Sequence, residues 1–297
     1  MKILITDGIS EKGREILEKA GIECVIQHYE PDELIQKIPK FDAILVRSAT
    51  KVPKEVIEAG KNLKVIARGG AGIDNIDYKY ATSKGILVLN TPNANSSSVA
   101  ELVLAHIFAL ARFLHIANVT MRQGKWEKKK YNGIEVYGRT LGIIGFGKIG
   151  QLLAQKALAL GMTVLIYDIV DIKTDLPVKK VSLDELYTQS DFISLHVPKM
   201  EKPLIDAEAL KKMKKTAFLI NCARGGVVDE KALLDALNKG EIAGAGLDVY
   251  EEEPTKNLDL ISHPNVSATP HIGASTAEAQ ERVSIEIANK IVEALKK

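Results

Sequence analysis

A chain of 297 residues is long enough for two domains at the usual ~100–200 residues each. With 46% hydrophobic and 26% charged residues it has the composition of an ordinary soluble globular protein, and a net charge of +2 is too small to point to nucleic acid or an acidic membrane surface. Cys24 and Cys222 stand far apart with no CxxC pairing and no histidine cluster nearby, so neither a disulfide scaffold nor a metal site is expected.

Met1 leads directly into Lys2-Ile-Leu-Ile-Thr-Asp7, which reads as a strand and not as a signal peptide, and no apolar run approaches the ~18 residues of a membrane span. A cytoplasmic protein without a membrane partner is expected. Further β-rich runs follow at Ile22–Gln27, Phe41–Arg47, Leu63–Ala67 and Gly85–Asn90, separated by amphipathic stretches such as Glu11–Ala20 and Pro53–Ala59. Strands alternating with helices make βα units and a parallel sheet. After the turn-rich Asn90-Thr-Pro-Asn-Ala-Asn95 and the capping run Ser96-Ser-Ser98, one long helix is predicted from Val99 to about Met121. It is apolar around more of its circumference than a surface helix, so it is expected to pack on its own domain and on a second copy of the chain in a homodimer.

The second βα series opens with Thr140-Leu-Gly-Ile-Ile-Gly-Phe-Gly-Lys-Ile-Gly150. In this turn Gly145 permits the tight bend, Gly147 lets the backbone approach a pyrophosphate, and Gly150 lets the following helix pack close to the strand. The backbone at Lys148, Ile149 and Gly150 opens that helix and points N–H groups at the anion. Asp168 lies about 20 residues further on, where a carboxylate takes the ribose hydroxyls of NAD and repels the extra phosphate of NADP. The predicted strands are Leu141–Gly145, Thr163–Asp168, Asp191–Val197, Ala217–Cys222, Gly244–Val249 and Val266–Ala268, with helices including Gln151–Leu160, Asp206–Met213 and Glu230–Leu237. The stretch from Thr276 to Lys297 reads as an amphipathic helix too short to be a domain, which returns to cover the first one. The expected division is residues 1–94 with 274–297 as a substrate domain and 95–273 as an NAD domain, with a cleft between them.

Four segments of the second series end strands where open α/β sheets bind ligands: Leu195-His-Val-Pro198, Asn221-Cys-Ala-Arg-Gly-Gly226, Gly246–Pro254 and Thr269-Pro-His-Ile-Gly-Ala274. If their strands are neighbours, an arginine, a carboxylate and a histidine meet. Hydride transfer between an alcohol and a carbonyl needs that set: an imidazole to exchange the proton, a carboxylate to fix its tautomer, and a guanidinium to hold a substrate carboxylate bidentately. His196 is read as structural or cofactor-lining, and His28, His106, His115 and His263 as structural. Glu251 and Glu252 are read as solvated charges, Lys128–Lys130 as a solvated face, and Cys222 as a strand-end packing residue with no base beside it.

These segments, in this order and spacing, resemble the D-isomer-specific 2-hydroxyacid dehydrogenases over essentially the whole chain. The resemblance implies two doubly wound parallel-sheet α/β domains, a Rossmann-type NAD domain inserted in a flavodoxin-like substrate domain. It implies NAD-dependent chemistry with Arg224 on the substrate carboxylate, His271 as general acid/base and Glu253 orienting it. Glu253 is separated from its two neighbours by family position alone. Asp248 falls near the nicotinamide carboxamide and His196, Val197 and Pro198 on the adenosine side, while Cys222, Ala223, Gly273 and Ala274 complete the expected cofactor contacts.

Val46-Arg-Ser-Ala-Thr-Lys-Val52, Ala67–Asn75, Asn90–Leu102 and Gly124–Lys130 resemble the members that act on a phosphorylated acid. On that basis Arg47, Ser48 and Arg68 hold the substrate with Asn95 nearby, and two strand-end arginines suit a second anionic group. Many members continue into a C-terminal domain that binds an amino-acid effector. This sequence ends at the return helix, so inhibition through such a domain is not expected. A reductase of unphosphorylated acids such as hydroxypyruvate and glyoxylate shares the short layout. From another class, a dinucleotide-sensing binding protein can retain the same residues.

Overall fold

The runs Ile3-Leu-Ile5 and Ala43-Ile-Leu-Val46 are apolar at every position, as strands covered on both faces of a parallel sheet must be. In the computed structural model, which describes residues 1–296, they form the centre of the first sheet. Lys297, the expected last residue of the final helix, lies outside the described residues. The chain divides into two compact units, residues 1–96 with 274–297 and residues 97–273.

The first unit runs β1 (Lys2–Ile5), α1 (Glu11–Lys19), β2 (Glu23–Ile26), α2 (Pro31–Lys37), β3 (Ala43–Val46), α3 (Lys54–Ala59), β4 (Val65–Arg68), α4 (Tyr78–Ser83) and β5 (Leu87–Asn90). The five strands are parallel in the order β2-β1-β3-β4-β5, the flavodoxin-like doubly wound order. Alternate residues divide between the faces. Leu4, Ile44, Val46 and Ile66 pack with Leu34 and Val56 of α2 and α3, while Ile3, Ile5, Leu45 and Ala67 face Leu17 of α1.

The second unit opens with α5 (Ser96–Ala111) and α6 (Leu114–Arg122). Then follow β6 (Thr140–Ile144), α7 (Lys148–Ala159), β7 (Thr163–Tyr167), β8 (Lys179–Lys180), α8 (Leu183–Gln189), β9 (Phe192–Leu195), α9 (Ala207–Lys212), β10 (Phe218–Asn221), α10 (Glu230–Lys239), β11 (Gly244–Leu247), α11 (Leu258–Ile261) and β12 (Val266–Ala268). Its seven parallel strands lie in the order β12-β11-β10-β9-β6-β7-β8, a Rossmann order extended by one strand, with the topological switch between β6 and β9. Leu141, Ile143, Ile166 and Ile220 bury one face under α5 and α7, and Ile193, Leu195, Leu219 and Leu247 bury the other under α8 to α10. The chain closes with α12 (Ala277–Lys296), whose Ile287, Ala288 and Ile291 join Ile3, Ile5 and Leu45 in the core of the first unit. Gly13 of α1 has no room for a Cβ against Ser284, so the two helices approach closely there.

The single helix expected over 99–121 is instead two helices bent by 66°, with Phe113 in the left-handed region at φ 57°. No proline or glycine marks the break, because tertiary contacts make it. The N–H of Ile134 donates to the Ala111 carbonyl at 2.9 Å, and Gly133 lets that segment in, since a Cβ there would run into the same carbonyl. Much of the apolar circumference packs within the unit: Val99, Ala100, Val103, Ile107 and Ala111 join its core with Leu141 and Ile143. The strands stop one or two residues short of several expected ends, leaving Asp7, Arg47, Asp168 and His196 in the loops that follow. Among the described residues no single helix is long and apolar enough to cross a membrane.

Candidate active site

The glycine turn after β6 sits at the switch point. Gly145 has φ +92°, and a Cβ on it would collide with the His196 carbonyl beyond β9. A Cβ on Gly150 would strike the Gly145 carbonyl, whereas Gly147 faces open space. The turn therefore presents bare backbone and the N-terminus of the twelve-residue α7, with Lys148 exposed and Ile149 half-buried. This concave, positively polarised cradle fits a dinucleotide pyrophosphate. Asp168 accepts the Phe146 N–H at 2.6 Å and the Val170 N–H at 2.9 Å, so it ties the glycine turn to the end of β7 as well as offering carboxylate lone pairs there.

Beyond β9, the His196 Nε2 meets the Ser194 hydroxyl at 2.9 Å, while its Nδ1 is buried without a partner. Burial pushes the imidazole down to about 4, so it is neutral at physiological pH and unsuited to proton exchange there. Val197 and Pro198 continue the loop away from the ladder. At the end of β10, Cys222 and Ala223 are buried, and burial raises the Cys222 thiol well above its ordinary value, as for an inert packing cysteine.

Arg224 follows on a turn built by Asn221, whose side chain accepts the Ala223 N–H and donates to the Arg224 carbonyl. The Arg224 Nη1 donates to the Ala223 carbonyl at 2.7 Å. Gly225 abuts the Tyr250 carbonyl so closely that no Cβ fits, and Gly226 has φ +78°. The two glycines thus seat the β10 loop on the β11 loop.

The β11 loop carries three successive glutamates that the structure tells apart. Glu251 trades hydrogen bonds with Glu230 at the start of α10, and Glu252 pairs with Lys256. Glu253 accepts the Tyr250 N–H at 3.1 Å on Oε1 and meets His271 Nδ1 at 2.6 Å on Oε2. Burial pushes the Glu253 carboxyl up, but His271, the Tyr250 N–H and the Arg224 charge together outweigh it and hold the carboxyl below its ordinary value. With Nδ1 committed to Glu253, the ring atom left for a reacting oxygen is Nε2.

His271 has φ +53°, a left-handed conformation rare for a residue with a side chain, on the turn after β12. Asp248 holds that turn from below. It is buried and accepts the Thr269 hydroxyl at 2.6 Å and the Ile272 and Gly273 N–H groups at 2.8 Å each. Both its oxygens are engaged inside the protein, so the carboxylate expected near the nicotinamide carboxamide is first a strut for the His271 turn. The Ala274 carbonyl accepts from Gln280 at 2.6 Å.

The first unit supplies a separate feature. Arg47, Ser48, Asp7, Ser275, Thr276 and Gln280 line an open recess of about 450 Å³. Asp7 holds its rim by accepting the Arg47 and Thr50 N–H groups at 2.6 and 3.0 Å, and Asn75 bonds the Arg47 and Thr50 carbonyls. Arg68 does not line this recess; its Nη1 donates to the Gly72 carbonyl in its own loop. The Asn95 side chain is buried ahead of α5. Asp7, Asn221 and Tyr250 near strand ends and Gln280 in α12 carry no sequence signal that separates them from ordinary polar residues, except that an asparagine at a strand end is a ready turn-former.

A family model described as D-isomer specific 2-hydroxyacid dehydrogenase, NAD binding domain, matches residues 104–273. The chain is 50% identical to a hydroxypyruvate reductase of Thermotoga maritima over 99% of this chain and 98% of that protein. It is 45% identical to a D-3-phosphoglycerate dehydrogenase of Methanocaldococcus jannaschii over its full length, and spans 58% of that longer protein. Among solved structures, a D-lactate dehydrogenase from Aquifex aeolicus, complexed with NAD and lactic acid, superposes with a TM-score of 0.87 at 33% identity, covering 99% of this chain and 95% of that one.

Proposed function

The chain belongs to the D-isomer specific 2-hydroxyacid dehydrogenase family, an NAD-dependent enzyme family, and on that premise we propose that it interconverts D-3-phosphoglycerate and 3-phosphohydroxypyruvate, the entry to serine synthesis. The Glu253–His271 pair carries the dehydrogenase chemistry, and the recess lined by Arg47, Ser48 and Thr276, a guanidinium with two hydroxyls, supports a phosphorylated substrate. Gly145, Gly147 and the N-terminus of α7 would hold the pyrophosphate of NAD, with Asp168 toward the ribose and His196 to Pro198, Cys222, Ala223 and Gly273 toward the remainder. When bound, the nicotinamide supplies the hydride acceptor and donor.

The protein's own groups do the rest. Arg224 grips the substrate carboxylate and polarises the C2 oxygen. His271 takes the C2 hydroxyl proton at Nε2 during oxidation and returns it during reduction. Glu253, ionised and bonded to Nδ1, keeps Nε2 free to accept and stabilises the ring once it is charged. Arg47 and Ser48 bind the distal phosphate.

A reductase of unphosphorylated hydroxypyruvate is the second reading. It is favoured by the Thermotoga relative, matched along nearly its whole length, and by the turn of Arg68 onto Gly72. The ratio of kcat/KM for 3-phosphohydroxypyruvate over hydroxypyruvate, both with NADH, decides between them. A strong preference for the phosphorylated acid supports the first, and an equal or reversed ratio the second.

The exposed Leu114, Val119 and Met121 of α6, with Trp126 just beyond, support a homodimer formed through α6. Sedimentation of Val119→Asp should then give monomer where the parent gives dimer. Two free cysteines support a reducing, cytoplasmic setting.

A further inference from the structure

His106 lies in the middle of α5 and is buried, yet the mechanism does not use it. Its two ring nitrogens both have partners on the chain that carries His271. Nδ1 meets the Ser267 hydroxyl at 2.9 Å and Nε2 the Thr269 hydroxyl at 3.2 Å. A hydroxyl has one hydrogen, and that of Thr269 goes to Asp248 Oδ1, 2.6 Å away. Toward His106 the Thr269 oxygen is therefore an acceptor, which assigns the ring proton to Nε2 and leaves Nδ1 to accept from Ser267. The relay runs in one direction: Ser267 O–H to His106 Nδ1, His106 Nε2–H to Thr269, and Thr269 O–H to Asp248. Asp248 in turn takes the Ile272 and Gly273 N–H groups, the two residues that follow His271 on its strained turn.

Two further observations fit a neutral ring wedged at this point. Burial lowers His106 to about 4 against the opposing charge of Asp248, with His115 the other titratable group facing it. Strand β11 also makes room for the ring, since a Cβ on Gly246 would lie 2.8 Å from the His106 Cβ.

We propose that His106 is a positioning residue for the proton-transfer step: its Nε2–H orients the Thr269 hydroxyl onto Asp248, and so sets the turn that presents His271. The inference rests on the reading of His271 as the acid/base, and it concerns a helix residue with no contact to the reacting atoms.

The test compares His106→Leu, His106→Gln and His271→Gln in one NADH-dependent reduction assay. His106→Leu removes both ring contacts. His106→Gln restores an N–H near the position of Nε2. The expected result is a kcat lowered by about 10-fold in His106→Leu, with KM and the NADH Kd within about twofold, and most of the loss recovered in His106→Gln; a displacement of the acid/base by a fraction of an ångström costs on that scale. Full kcat in His106→Leu beside an impaired His271→Gln overturns the role of His106 alone. Full kcat in His271→Gln overturns the acid/base reading itself. If His106→Leu does not fold, ring ¹⁵N shifts of the histidine-labelled parent enzyme answer the question. A neutral Nε2–H tautomer for His106 at neutral pH supports the relay, and an Nδ1–H or charged ring refutes it.

Discussion

Glu253→Gln is nearly isosteric, but the site cannot absorb it. Glu253 is an acceptor on both oxygens, to the Tyr250 N–H at 3.1 Å and to His271 Nδ1 at 2.6 Å. In the amide one of those positions becomes an NH₂ group. Either Tyr250 loses its acceptor, or the amide donates to Nδ1 and forces the His271 proton onto Nε2, the atom that must accept the substrate proton. The charge contributes too: a charge-assisted hydrogen bond exceeds a neutral one by about 1–2 kcal/mol. The two side chains are 40% and 35% exposed, so water reduces this to about 1 kcal/mol, or roughly fivefold in rate. The tautomer effect is larger, in the range of about 10²–10⁴ for a misprotonated catalytic histidine. We expect kcat to fall at least ~10²-fold with the NADH Kd unchanged, read by NADH consumption and by fluorescence titration. The pH dependence adds a check. Because the Glu253 carboxyl is held below its ordinary 4.5, its contribution is complete above that value and is lost as pH falls through the lower folded value. The parent should thus lose stability in that acid window through a proton uptake that Glu253→Gln lacks. A variant with kcat within about threefold of the parent would refute the assignment of Glu253 to His271.

Other consequences are more local. Gly225→Ala drives a Cβ into the Tyr250 carbonyl and should cost about 1–3 kcal/mol, a Tm fall of about 5 °C by calorimetry, with turnover falling as Arg224 shifts. An unchanged Tm would mean the β10 and β11 loops are not in that contact. Asp168→Ala should narrow the ratio of kcat/KM for NADH over NADPH, and because it also frees the Phe146 and Val170 N–H groups it should weaken NADH binding itself. A preserved ratio would remove Asp168 from the ribose. Arg47→Ala should lower kcat/KM for the phosphorylated acid by about 10–10²-fold, the scale of one lost charge-assisted contact, and leave hydroxypyruvate turnover alone. Equal losses on both would argue that Arg47 holds only its own loop.

Much of the molecule is local enough to be legible in one dimension. Apolar runs such as Ile3–Ile5 and Ala43–Val46 announce strands covered on both faces. The Gly145–Gly150 spacing announces the turn because the need for a positive φ and for absent Cβ atoms is written in residue identity itself. Arg224 and His271 could be singled out because each follows a strand at the end where such sheets bind ligands. Features set by partners distant in sequence could not. The break of the expected 99–121 helix at Phe113 depends on Gly133 and Ile134 reaching Ala111. The choice of Glu253 over Glu251 and Glu252 depends on which carboxyl meets a ring 18 residues away. Arg68 ends β4 and Arg47 immediately follows β3 of the same sheet, yet one turns onto its own loop and the other lines a recess. His106 carries no motif, Asp248 was legible only as a residue of the Gly246–Pro254 segment, and their tie to the His271 turn exists only once α5, β11 and the turn after β12 are stacked together. Sequence alone determined the backbone's local preferences and so the fold class. Hydrogen-bond partnership, which distinguishes one carboxylate or imidazole from another of identical chemistry, is a property of through-space distance, and only the tertiary structure decided it.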